Sequence, residues 1–146
     1  MEILPHFWIS YYKKNLLIIK EKKIKNIIHL SKFEKFIHKD NIEEICIPLD
    51  YTDDQSLEEK NNIIYDYLYD ITNYINKKVT RNENILLLGY SNKQDIETIV
   101  IAYFIKFGKL NIHDSIVFLK SKKENIFQPK CLFYYALNKF YNEINK

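Results

Sequence analysis

One stretch constrains the fold more than any other: ENILLLGYSNKQDIETIVIAYFIKFGKL, residues 83–110. Its first part, NILLLGY (84–90), is a continuous apolar run of strand length, as expected of a strand buried on both faces. Its last part, IETIVIAYFIKFG (96–108), is apolar nearly all round a helix, as expected of a helix buried in a domain, and Gly108 can stop it. Between them lies a polar loop, residues 89–95. In open α/β folds, ligands bind beyond the carboxyl ends of the strands. A loop running from a central strand into a helix N-terminus aims free backbone N–H groups at one point, which makes an anion pocket by default. This loop carries no Cys, no His and no Arg.

The rest of the chain supplies the partners that such a unit needs. ILPHFWIS (3–10) reads as one or two short strands broken by Pro5. IKNIIHLS (24–31) and EEICIPLD (43–50) are β-branched runs and read as strands. Residues 11–23 read as a helix, and 56–78 as a long amphipathic one that opens on a capping box formed by Ser56 and Glu59. Asn111 and Asp114 open a further helix, and the last is expected to begin at Pro129. Strands alternating with helices predict an α/β fold: a central, mostly parallel sheet of about five strands, with 84–89 in the middle and helices on both faces. No linker or repeat divides residues 1–146, so a single domain is expected.

Composition narrows the function classes. A chain of 146 residues that is 47% hydrophobic can build a real core. The absence of a long uncharged apolar run argues against a transmembrane helix, and MEILPHFWIS lacks the basic start of a secretory leader. Cys46 and Cys131 stand far apart with no metal-ligand spacing, which fits a reduced, intracellular and most simply cytoplasmic protein needing no cofactor or metal. A net charge of +3 is too small to argue for nucleic acid, and the lysines crowding residues 13–39 read as a solvated face. Arg81 is the only arginine, so only one position could clamp a phosphate bidentately.

The order and spacing of these stretches resemble the small dual-specificity protein phosphatases of the Cys-dependent tyrosine phosphatase superfamily, over nearly the whole chain. ILPHFWIS resembles their opening strand, IKNIIHLS their next, and ICIPLDYTDD (45–54) their strand leading into the acid loop. Residues 104–141, FIKFGKLNIHDSIVFLKSKKENIFQPKCLFYYALNKFY, resemble their helical ending. In that family the strand ends in His-Cys, followed by five residues, Arg, and Ser or Thr. The thiolate attacks phosphorus, the guanidinium clamps the phosphoryl oxygens, and the hydroxyl helps the thiolate leave. Here Leu88 stands at the His position, Gly89 at the Cys, Asn92 at the loop Gly, Asp95 at the Arg and Ile96 at the hydroxyl. The family's acid loop corresponds to Asp50, Tyr51, Asp53 and Asp54, with Tyr51 at the position of the acid.

The resemblance therefore implies a degenerate phosphate loop, Leu88, Gly89, Tyr90, Ser91, Asn92, Lys93, Gln94, Asp95 and Ile96, with no catalytic residue. Gly89 supplies no nucleophile. Ser91 has no obvious base nearby in the sequence, and Lys93 reads as a solvated lysine. Asp95 is expected at the N-cap of the buried helix with Glu97 in its first turn, so that two carboxylates take the anion's place. His29, Cys46 and Cys131 read as structural, although Cys131 near a helix N-terminus would have its thiolate somewhat favoured. The function expected is that of a pseudophosphatase that binds or scaffolds a protein partner, a phosphoprotein being one candidate. An active phosphatase using unrecognised residues and a structural component of a larger assembly stand as the alternatives.

Overall fold

The computed structural model describes residues 1–12, 17–31, 41–49, 51–52 and 54–146. Its five strands are β1 (Glu2–Leu4), β2 (Phe7–Tyr11), β3 (Asn26–His29), β4 (Glu43–Cys46) and β5 (Ile85–Gly89). They form one sheet in the order β1-β2-β5-β3-β4. β2, β3 and β4 join in parallel, through β5 at the centre, and β1 adds an antiparallel edge. The apolar run of β5 has the expected consequence: Ile85, Leu86, Leu87 and Leu88 are all solvent-inaccessible, so both faces of the central strand are buried. The sheet is α/β, mixed and mostly parallel, as its alternating pattern predicts.

Two compact units make up the molecule. The first holds the whole sheet, helix α1 (Ile18–Glu21), the last turns of helix α2 (Leu57–Thr80) and the loop after β5 as far as Ile96. One face of this sheet packs Ile27, Leu86 and Leu88 against Ile19 and Ile24, with Trp8, Tyr12 and Ile42 around them. α1 is shorter than the helix expected over 11–23, because β2 continues through Tyr11 to pair with Gly89. Residues 13–16 of that expected helix lie outside the described residues.

The second unit comprises Tyr51–Asn73 and Glu97–Lys146. It contains the first part of α2, most of helix α3 (Asp95–Phe107), and helices α4 (Ile112–Lys122) and α5 (Tyr134–Ile144). Every residue of α3 from Asp95 to Ile105 is buried, as its missing polar face requires. Gly108 follows α3 for a different reason than a left-handed turn. A Cβ there would stand 2.7 Å from the Phe104 carbonyl, while the left-handed residue is Lys109 at φ 58°. Ser56 caps α2 by accepting from the Glu59 N–H at 3.1 Å, and Asn111 caps α4 by accepting from the Asp114 N–H at 2.7 Å.

α5 begins at Tyr134, five residues after the expected start at Pro129. Its first turn is held by a tertiary cap. The buried Asn61 amide accepts from the Ala136 N–H at 2.9 Å and donates to the Leu132 carbonyl at 3.0 Å and the Leu57 carbonyl at 2.9 Å. Asn61→Ala removes all three bonds inside the protein. It is expected to cost about 2–3 kcal/mol in urea unfolding, more than a surface Asn would. A cost within noise would show that α5 does not depend on this cap.

Candidate functional site

The loop after β5 leaves the sheet at its carboxyl edge, where the sequence places the anion pocket. Backbone bonds from Tyr12 N–H to the Gly89 carbonyl (2.9 Å) and from Leu30 N–H to the Leu88 carbonyl (2.9 Å) hold the strand end between its neighbours. Lys93 N–H donates to the Tyr90 carbonyl at 3.3 Å, which closes a turn. Gln94, at φ 43°, then swings the chain into α3. Ser91 and Asn92 are exposed at the tip, Tyr90 and Lys93 are half-buried, and Gln94, Asp95 and Ile96 are buried. The Lys93 ammonium lies 5.4 Å from the Tyr90 ring, so its charge rests on an aromatic face.

The side chains at the end of β5 and the start of α3 fit one another. At Gly89 an added Cβ would lie 3.1 and 3.3 Å from Ile96 Cγ1 and Cδ1, and 3.4 Å from Leu30 Cδ1. A side chain at position 89 therefore requires Ile96 to give way by a few tenths of an ångström. Gly89 and Ile96 are thus matched in volume, a small residue against a large one within one close-packed site. Gly89 itself is not in the left-handed region, so its backbone does not demand a glycine.

Asp95, 1% exposed, is the first residue of α3 rather than the cap before it. The two-carboxylate arrangement expected at this helix start is corrected at Glu97. That carboxylate is buried and ion-paired with Lys123 at 3.2 Å, so its charge is matched within the protein instead of standing in for a ligand. Arg81 is exposed just after α2 and before β5, at the amino end of the strand whose carboxyl end carries the loop. The intervening strand spans roughly 16 Å. The chain's single guanidinium is therefore at the wrong end of the sheet to clamp an anion in the loop.

Beside the loop lies a polar network that the sequence did not reveal. His29 closes β3 next to Leu88, 1% exposed, and is engaged at both ring nitrogens. Nδ1 stands 2.8 Å from the Tyr12 hydroxyl and Nε2 stands 2.9 Å from Glu44 Oε1. A carboxylate only accepts, so Nε2 carries a proton; in the neutral ring Nδ1 then accepts from Tyr12. Tyr12 in turn packs on Tyr90 of the loop, ring centroids 4.9 Å apart. The structural reading of His29 holds, with Tyr12 and Glu44 as its unforeseen partners. Sheet register brings them together: β3 and β4 pair Ile27 with Glu44 and His29 with Cys46, so Glu44 projects on the same face, one pleat from His29. No spacing in the sequence signals this.

Of the residues expected to correspond to an acid loop, Tyr51 and Asp54 belong to the second unit, and Asp50 and Asp53 lie outside the described residues. Tyr51 packs on Phe133 with ring centroids 5.7 Å apart. The Asp54 carboxyl is fully exposed, and a hydrogen bond from the Thr52 hydroxyl holds it below the usual carboxylate range. A general acid needs the opposite shift, toward the protonated form. Cys46 is half-buried and its thiol donates to the Ser31 carbonyl at 3.0 Å. Cys131 lines a groove of about 360 Å³ with Leu57, Tyr134 and Tyr135. Burial pushes its thiol up, contrary to the favoured thiolate expected from a nearby helix start, because α5 begins beyond it at Tyr134. Among the described residues no helix is long and apolar enough to cross a membrane.

No protein-family model and no curated sequence matches the chain. Solved structures do. Human tyrosine phosphatase-like serine/threonine/tyrosine-interacting protein aligns over 99% of this chain and 97% of its own, at 16% identity and a TM-score of 0.79. Human DUSP28 aligns over 99% and 96%, at 12% identity and a TM-score of 0.78. A leucine-rich repeat and phosphatase domain protein from Entamoeba histolytica aligns over 99% and 91%, at 16% identity and a TM-score of 0.74. Together with the strand order and the position of the loop, these likenesses establish that the chain has the fold of the dual-specificity phosphatases.

Proposed function

We propose that this chain is a catalytically inactive member of the dual-specificity phosphatase group, a pseudophosphatase that serves as a protein-binding or scaffolding module. The observation that carries this reading is Gly89 itself, which brings no nucleophile to the end of β5 and against which Ile96 and Leu30 pack closely, at 3.1–3.4 Å from where a Cβ would stand. The electrostatics support it. An ionised Asp95 about 4 Å from a phosphate oxygen repels it by about 4 kcal/mol at the effective dielectric of a partly buried site. A neutral Asp95 still supplies no positive charge, and Arg81 is at the far end of β5. Catalysis by phosphoryl transfer rests on positioning and charge stabilisation, and both are missing. One of the structures sharing this fold is itself named a phosphatase-like interacting protein.

Two measurements test the reading. Purified wild type is expected to hydrolyse para-nitrophenyl phosphate no faster than buffer between about pH 5 and pH 8, the range in which the family's acid–base chemistry operates. Turnover that co-purifies with the protein through successive columns overturns the inactive reading. Thermal melts with and without sulfate probe the loop. Wild type is expected to gain little from sulfate, whereas Asp95→Ala should be less stable by about 0.3–1 kcal/mol, having lost a carboxylate in the first turn of α3, and should gain more from sulfate as the repulsion is relieved. Equal stabilisation of both proteins means that the loop still accepts anions, and phosphate-dependent partner binding then replaces the phosphate-independent form of the proposal.

A further inference from the structure

At the opposite end of the sheet from the loop, a crevice of about 330 Å³ opens among α1, the start of β3 and the start of β4. Ile19, Ile24 and Ile42 contribute its apolar lining, and Lys20, Lys23 and Lys25 its charged lining. Ile19 and Ile24 are 6% and 2% exposed, so this lining is recessed, while the three lysines are exposed. Among the described residues no acidic side chain lines the crevice. Among the described residues none of the three lysines forms an ion pair, and the nearby Glu43 carboxylate is committed to Lys78 and Tyr74, each at 2.9 Å.

The backbone around the crevice is preformed. Ile24 N–H donates to the Ile19 carbonyl at 3.0 Å, Lys25 N–H to the Asn84 carbonyl at 2.9 Å, and Glu43 N–H to the Lys25 carbonyl at 2.9 Å. The Asn84 side chain donates to the Lys22 carbonyl at 2.6 Å. A binder therefore meets a fixed shape and does not have to order the chain around it. Uncompensated positive charge around a recessed apolar floor calls for a ligand with the converse pattern, an apolar group flanked by carboxylates.

We infer that this crevice is a docking site for an acidic peptide segment, which places one apolar side chain on Ile19, Ile24 and Ile42 and its flanking carboxylates beside Lys20, Lys23 and Lys25. A membrane surface fits less well, because interfacial binding needs apolar side chains that project outward, and these are recessed. Nucleic acid fits less well too, because among the described residues no aromatic side chain lines the crevice to stack a base. The site lies away from the loop and stands whether or not the loop is inactive.

The probe is a fluorescein-labelled short peptide with a central leucine between aspartates and glutamates, followed by fluorescence anisotropy on the full chain. Binding is expected at low salt and is expected to weaken as added salt shortens the Debye length. Lys20→Glu combined with Lys25→Glu should weaken binding about tenfold or more, since each reversal replaces an attraction by a repulsion. Both lysines are exposed, and an unchanged melting temperature confirms that the variant is folded. Replacing the peptide's leucine by serine, or its acids by glutamine and asparagine, should abolish binding. The inference is overturned if the neutral peptide binds equally well. It is likewise overturned if phosphatidylserine vesicles or poly(U) bind more tightly than the peptide with the same dependence on the two lysines, or if the charge reversal changes nothing.

Discussion

Gly89→Cys is expected to restore no phosphatase activity and to lower stability. The new Cβ alone meets Ile96 and Leu30 at 3.1–3.4 Å, and the sulfur must go beyond it. Overpacking of this kind costs about 1–3 kcal/mol. Losing a glycine returns up to about 1 kcal/mol by restricting the unfolded chain. The clash is the larger effect, and the net loss should be about 1–2 kcal/mol in urea unfolding. Ile96→Ser alone should cost about 3 kcal/mol or more through the cavity it leaves. Combined, the two should cost less than their sum by about 1–3 kcal/mol, because each relieves the defect of the other. Strict additivity would show that Ile96 does not fill the space of the missing thiol. Gly89→Cys with Asp95→Arg supplies nucleophile and clamp and is the smallest change for which weak turnover is expected, still short of an acid and of the leaving-group hydroxyl that Ile96→Ser would add.

His29→Leu is expected to be the most destabilising single substitution near the loop, by about 3–5 kcal/mol. It removes the imidazole that pairs with the buried Glu44 carboxylate, 6% exposed, and with the Tyr12 hydroxyl. His29→Leu with Glu44→Leu should recover much of that loss, because two apolar side chains replace a buried pair at little net cost. Double-mutant cycles in urea are the measurement. A double variant no more stable than His29→Leu would mean that the pair does not share its energy and that Glu44 has other support. Tyr12 packs on Tyr90, so loss of the network should also loosen the loop, read as faster amide exchange at residues 90–94.

How far each feature was legible depends on the range of the physics behind it. The continuous apolar run of β5 and the missing polar face of α3 are local patterns with one outlet, burial, and both elements lie where those patterns predict. Asn111 and Ser56 cap within their own turns, so the starts of α4 and α2 could be read from neighbouring residues. The start of α5 could not, because its Ala136 amide is satisfied by Asn61, which is distant in sequence. β2 likewise extends to Tyr11 because Gly89 is there to pair with it, and helical propensity over 11–23 loses to that ladder.

In the loop, the sequence by itself determined that Gly89, Asp95 and Ile96 carry neither thiol, cation nor hydroxyl, wherever they are placed. Only the tertiary structure decided that Ile96 closes on Gly89, that Glu97 is taken by Lys123, and that Arg81 ends at the opposite edge of the sheet. It alone joined Tyr12, His29 and Glu44, and gathered Lys20, Lys23 and Lys25 around an apolar floor. Those relations are set by strand order and register, which position residues far apart in the chain within a few ångströms of one another. Periodicity along a sequence reports which face of an element is buried. It does not report which element lies against that face, and the partners of a buried carboxylate or an imidazole are chosen there.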